Sequence, residues 1–207
     1  MNKLLFPIII ILFLSILINT VQAQERSFGI KGGAAGYQLT SELGDFSSTS
    51  DRKIAFEAGI FGEFPINRLL AIQPEVAFVQ KGGEETSQSL GSSSVTLNYI
   101  DVPLLLKINA PVDGSLQPFI FGGPYAGYLI EATSDSEGES EDLTEFLNEF
   151  HYGLKVGVGV NIGPVLIDAR YDMGVANLYK EDEELDGLDG DFELITTGFV
   201  LSLGLRF

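Results

Sequence analysis

The chain of 207 residues contains no cysteine, no tryptophan, two methionines and a single histidine. Without cysteine there is neither a disulfide framework nor a thiolate metal site, so cohesion has to come from regular hydrogen-bonded structure. Basic side chains are also scarce, 12 against 29 acidic ones, for a net charge of -17. A nucleic-acid partner is excluded on that balance, because phosphate binding needs a positive field. After residue 24 no apolar run approaches the length of a membrane-spanning helix. Yet 15 Phe, 7 Tyr and a mean hydropathy of +0.21 separate the chain from acidic disordered sequences.

The first residues have the three-part layout of a secretory signal: Lys3, an apolar run from Leu4 to Ile18, and small residues at Val21-Gln22-Ala23. The expectation is cleavage after Ala23, with residues 24–207 forming one domain. Removing Lys3 leaves 11 basic against 29 acidic side chains, a net charge of -18. With no cysteine after the signal, a lipid-anchored lipoprotein is excluded.

The dominant period in the remainder is two, the signature of strands. Ile195, Thr197, Phe199, Leu201, Leu203, Leu205 and Phe207 share one face, and Thr196, Gly198, Val200, Ser202, Gly204 and Arg206 the other. The same division of oily against small or polar recurs at 99–108, 151–162 and 165–176. Strands at 28–38, 54–64 and 69–80 show it with less contrast, and the strand at 116–131 is interrupted by Gly122, Gly123 and Pro124. Tight connections at 65–68, 110–115 and 163–164 alternate with long polar ones at 39–53, 81–94, 132–149 and 177–193. The pattern predicts an all-β fold, an eight-stranded antiparallel up-and-down transmembrane β-barrel with its long loops at one end and both termini at the other. The competing arrangement is a soluble lipocalin-like ligand-binding barrel, which would turn the oily face inward.

Several stretches carry a family resemblance: Gly29-Ile30-Lys31-Gly32-Gly33, Ile72-Gln73-Pro74-Glu75 followed by Gln80-Lys81-Gly82, the run from Leu97 to Lys107, Gly122-Gly123-Pro124-Tyr125-Ala126-Gly127-Tyr128, and Asp168-Ala169-Arg170-Tyr171 through Gly174. Together they resemble the PorT-like outer-membrane β-barrel family of the Bacteroidetes, from about residue 28 to Phe207. The resemblance implies the fold and a Gram-negative outer membrane, with long loops extracellular and termini periplasmic. One founding member is associated with a secretion and gliding apparatus, a role that is not carried over. The terminal Leu205-Arg206-Phe207 resembles the aromatic-ended signal read by the outer-membrane assembly machinery, with Phe207 as its key residue.

On the strand register, Lys31, Glu57, Glu63, Glu75, Asp101, Lys107, Lys155, Asp168, Arg170, Asp172 and Arg206 point inward. An eight-strand barrel has an interior just wide enough for side chains to fill, and buried charges must be paired. These residues are therefore expected to form a structural ion-pair network, with Lys107 meeting Asp101 or Glu75 and Arg170 meeting a neighbouring carboxylate. His151 is expected at the solvent rim. A lipid-modifying barrel enzyme would need a nucleophile beside it, and Ser134, Ser136 and Ser140 lie on a loop that would not hold one in place.

Residues 131–149 and 180–193 each hold eight acids, 16 of the 29 in the chain. In the first, Leu143, Phe146, Leu147 and Phe150 recur at helical spacing and predict an amphipathic turn whose oily side lies on the rim or meets a partner. In the second, the run from Asp186 to Asp191 invites weak Ca²⁺ or Mg²⁺ association without the EF-hand spacing. The reading is a monomeric, non-enzymatic structural or surface-interaction protein with no cofactor and no fixed metal. Its partners would be outer-membrane lipid, the assembly machinery and an envelope protein met through the outer loops, as an accessory to an envelope or secretion machine.

Overall fold

The computed structural model describes residues 26–43, 46–87, 91–112, 114–136, 139–179 and 192–207. The expected signal segment and its cleavage at Ala23, together with the Asp186–Asp191 run, lie outside the described residues. Ten strands follow in chain order: β1 (Ser27–Leu43), β2 (Phe46–Thr49), β3 (Lys53–Pro65), β4 (Leu70–Ser87), β5 (Gly91–Asn109), β6 (Leu116–Ser136), β7 (Glu139–Asp142), β8 (Phe150–Ile162), β9 (Val165–Gly174) and β10 (Phe192–Arg206). Eight long ones pair in sequence order, all antiparallel. The ring closes where β1 meets β10, from Gly29 opposite Arg206 to Leu43 opposite Phe192. Phe28 and Phe207 exchange backbone hydrogen bonds at that seam, at 3.0 and 2.8 Å, so the chain terminus completes the barrel. β2 and β7 are short returns on β1 and β6.

The tight turns fall at one end, and local chemistry makes them. Asn67 Oδ1 accepts from the backbone N–H of Leu69 and Leu70 at 2.8 and 2.9 Å, folding 66–69 as an Asx-type turn. Gly163 adopts φ +58°, open to glycine without steric cost, and lets Ile162 turn directly into Val165.

At the opposite end the strands outrun the expectation. β1 continues to Leu43, β4 to Ser87 and β6 to Ser136, and β5 begins at Gly91, with Ser87 paired to Gly91. Most of 39–53, 81–94 and 132–149 is thus hairpin, where loops were expected. The reason is that these Ser-, Thr- and Gly-rich extensions have no oily face and so no two-residue hydrophobic signal, while the β4–β5 and β5–β6 backbone pairs continue along them. β6 runs unbroken through Gly122, Gly123 and Pro124, the interruption being confined to a lapse in pairing with β5 beside Leu104 and Leu105.

Side chains alternate as the oily face demands. Ile54, Ile60, Val158, Leu201 and Leu203 are exposed on the outside, Ile54 by 84%, and the charged and small residues face in. This overturns the lipocalin-like arrangement: a soluble barrel cannot leave a continuous apolar belt in water. Aromatic pairs bound the belt, with Phe28 and Phe64 near the short turns and Phe56–Phe78, Tyr128–Phe150 and Tyr171–Phe199 toward the far end. Phe199 pairs with Gly36, eight residues along β1 from Phe28, roughly 26 Å at ~3.3 Å per residue. A strand tilt of about 40° reduces this to a height of about 20 Å, near that of a membrane barrel's apolar band.

Candidate functional site: the filled lumen

Every inward position on the tilted strands delivers one side chain to a shared interior, and the chain supplies charges there in matched numbers. Nearest the short turns, Phe61, Leu105, Phe119, Phe121 and Leu166 form an apolar layer. Lys107 Nζ sits 3.9 Å from the Phe119 ring centre and donates to Glu63 Oε2 at 2.6 Å. Arg206 stands at the mouth, 22% exposed, with Nη1 3.6 Å from Glu63 Oε1 and Nη2 donating to the Gly163 carbonyl at 3.0 Å. Lys107 therefore meets Glu63, and not the Asp101 or Glu75 expected for it, because the register of β3, β4 and β5 puts Glu63 at its height.

Above that layer Lys31 Nζ bonds Glu75 Oε1 at 2.9 Å and approaches Asp168 Oδ2 at 3.6 Å, while Gln73 Nε2 donates to the same Glu75 oxygen at 2.7 Å. At mid-height Arg170 forks onto Glu57 with both terminal nitrogens, Nη1 to Oε1 at 2.7 Å, and donates Nε to Asp172 Oδ1 at 2.8 Å. Ser202 Oγ and Tyr37 Oη complete the acceptors, donating to Glu57 Oε1 at 3.1 Å and to Asp172 Oδ2 at 2.6 Å. Arg170 thus meets two carboxylates, Glu57 and Asp172. Bidentate, fully paired geometry is the condition under which desolvated charges are tolerated.

The uppermost polar layer centres on Asp101. Its Oδ2 accepts from Lys155 Nζ at 2.9 Å and lies 3.1 Å from Lys81 Nζ; its Oδ1 lies 3.3 Å from His151 Nε2. Lys81 Nζ also sits over the rings of Tyr125, Tyr99 and Tyr37, at 4.6, 5.1 and 5.8 Å from their centres, an aromatic cage that holds an ammonium by cation–π attraction. Lys81 was missing from the expected set because its strand was ended at residue 80; extending the odd-numbered inward face of β4 by one step finds it. With Lys81 included, the inward charges among the described residues are six acidic and six basic.

His151 is not at the rim. It is 2% exposed, its ring packed on Tyr99 and Tyr125 at 4.1 and 5.2 Å between centres. The segment after β7 and residues 175–179 roof it over, Leu147 and Leu178 packing with the Tyr99 ring that lies on it. Among the described residues, the polar atoms within hydrogen-bond reach of its Nε2 are Lys81 Nζ and Asp101 Oδ1, an arrangement that orients an ion pair. Ser134, Ser136 and Ser140 lie beyond the roof, on β6 and β7.

That roof is the amphipathic turn, a single 3₁₀ turn at Thr144–Phe146, η1. Its oily side points down the barrel and not along the rim: Leu147 and Leu178 are buried with Leu97, Tyr99, Leu129 and Ala132, and Leu143 packs against them. Phe146 and Phe150 remain exposed. Asp142 Oδ1 accepts from the Thr144 N–H at 2.8 Å, and its hydrogen bonds to Thr144 hold its carboxyl below the usual range. Asn148 Nδ2 donates to the carbonyls of Asn177 and Tyr179, and Asn177 Oδ1 accepts from the N–H groups of Tyr179 and Leu194. Two connections and β10 are thereby stapled into one lid.

A closed eight-strand barrel, oily outside, charged within and bounded by aromatic pairs, defines a small outer-membrane barrel. The chain belongs to the family of the outer membrane protein beta-barrel domain, matched over residues 22–180, and so to the Gram-negative outer membrane. Among solved structures, Neisserial surface protein A (NspA) is 14% identical, with 89% of this chain and 100% of that one covered at a TM-score of 0.52. OprG from Pseudomonas aeruginosa is 11% identical over 87% and 95%, TM-score 0.50. Ail, the attachment invasion locus protein of Yersinia pestis, is 18% identical over 89% and 100%, TM-score 0.45. No curated protein matches the sequence.

Proposed function

We propose that this protein is a monomeric, non-enzymatic barrel of PorT-like type from the Bacteroidetes, acting at the cell surface as a structural or interaction protein and as accessory to an envelope machine. In this reading the tight turns and both termini are periplasmic and the hairpin extensions extracellular. The carrying observation is the paired interior. Among the described residues, six acids and six bases fill the lumen from Arg206 and Glu63 at the short-turn mouth, past an apolar layer, to Asp101 beneath the leucine lid, which supports a scaffold more than a passage. What the protein presents to its surroundings is then the outer rim, where Glu131, Asp135, Glu141, Asp142, Glu145 and Glu149 are exposed and favour a partner with a basic face.

Photo-crosslinking from the outer hairpins in intact cells tests the accessory role: one dominant protein neighbour is expected, and a spread of unrelated products would overturn it. For the non-enzymatic part, lipid A from a His151→Ala strain should give an unchanged acylation pattern by mass spectrometry. An altered pattern would replace this reading with a lipid-modifying enzyme.

A further inference from the structure

The lid does not fill the whole outer mouth. Between η1 and the extensions of β1, β2, β4 and β5 lies a recess of about 280 Å³. One side is apolar, made by Leu97, Leu143 and Leu147; the other carries hydroxyls, of Ser48, Ser50 and Ser93 among others. Ser50 Oγ is already engaged by the Leu39 N–H at 3.0 Å and the Asp51 carbonyl at 3.1 Å, and Ser41 Oγ by the Ser48 carbonyl at 3.4 Å, which leaves Ser48 and Ser93 to face an occupant. Gly83 contributes to the same wall because β4 passes so close to Ser50 that a side chain there would collide with its hydroxyl.

We infer that this recess binds a small uncharged amphiphile, its alkyl part on the leucines and its hydroxyl end on the serines. Size and charge both select that class. At roughly 30 Å³ per water-sized unit the volume holds about nine heavy atoms, less than a drug-sized ligand. Among the described residues, none that line the recess is charged, so an ion entering would lose hydration without gaining a counter-charge from them. Anions are further opposed by the exposed acids of β6, β7 and the lid. A neutral diol exchanges its water contacts for serine hydroxyls and loses only apolar hydration from its chain.

The inference is independent of whether the protein serves an envelope machine. The test uses the whole barrel in lipid nanodiscs with labelled Leu methyl groups, titrated with 1,2-hexanediol. Saturable shifts are expected at Leu143, Leu147 and Leu194, and not at the lipid-facing Leu201 and Leu203. Hexanoate should bind at least tenfold more weakly, and Ser93→Phe, which projects a ring into the recess, should weaken the diol at least tenfold. Folding of each variant is read from its mobility on gels without boiling, and Ser48→Leu serves as the second blocking variant should Ser93→Phe fail to fold. Shifts that rise linearly and equally at Leu201 would mean partition into lipid and overturn the proposal. So would hexanoate binding as well as the diol, or folded blocking variants that bind undiminished.

Discussion

His151 Nε2 stands 3.0 Å from Lys81 Nζ, deep in the barrel. With Lys81 an ammonium, Nε2 accepts in this contact. His151→Gln, whose carbonyl can still accept from Lys81, should cost about 1–2 kcal/mol. His151→Arg adds a cation against Lys81 and Lys155 and should cost about 3–5 kcal/mol, the scale of an uncompensated buried charge. Urea unfolding of the refolded barrel reads both, and equal losses would refute the assigned roles.

Arg170 is held by Glu57 on one side and Asp172 on the other. Arg170→Met leaves two buried carboxylates without their shared partner and is expected to cost about 3–5 kcal/mol. Combined with Glu57→Gln, the double variant should be more stable than the two losses added together, by ~0.5–3 kcal/mol of coupling. Strict additivity in a double-mutant cycle would mean the pair contributes nothing as a pair.

Leu147 anchors the lid, so Leu147→Ala should loosen the lid while the membrane-embedded part stays folded. Limited proteolysis is expected to cut within 143–149 faster than in the parent, with gel mobility of the unboiled barrel retained. Asp142 gives the same segment a pH dependence. Its carboxyl is depressed by Thr144, so its contribution is present above the unfolded carboxylate value of about 3.9 and is lost as pH falls through the lower folded value. Cleavage should therefore accelerate only in strong acid, and an acceleration near pH 6 would point to another group.

Gly198 faces inward beneath the Tyr37 ring, where a Cβ would overlap ring carbons. Gly198→Ala should cost ~1–3 kcal/mol by overpacking and pull Tyr37 Oη from Asp172. Trimming the ring in Gly198→Ala with Tyr37→Leu should recover part of the packing loss. If the double variant is no better than Gly198→Ala in the same unfolding assay, the glycine has some other role.

A lumen filled by paired side chains and roofed by leucines should not conduct. Planar-bilayer recordings of the purified barrel are expected to show no large, steady current, and sustained open-channel steps would contradict the filled interior.

The residue alternation, sharpest in β8, β9 and β10 and fainter in the earlier strands, made the strand number, the outward oily face and eleven inward-pointing charges legible directly, because lipid requires apolar groups on one side and a narrow lumen requires small or paired ones on the other. The same logic stopped short where lipid stops: the extensions of β1, β4, β5 and β6 are wetted on the outside, carry no oily stripe, and so concealed both their strand character and Lys81. Composition alone likewise fixed the absence of disulfides and the acidic balance. Which charge meets which was decided only by tertiary structure, since the pairing of Lys107 with Glu63 depends on how neighbouring strands are staggered around the ring. The burial of His151 has the same origin: a roof contributed by residues 143–149 and 175–179 covers it, and that cover exists only once the barrel has closed.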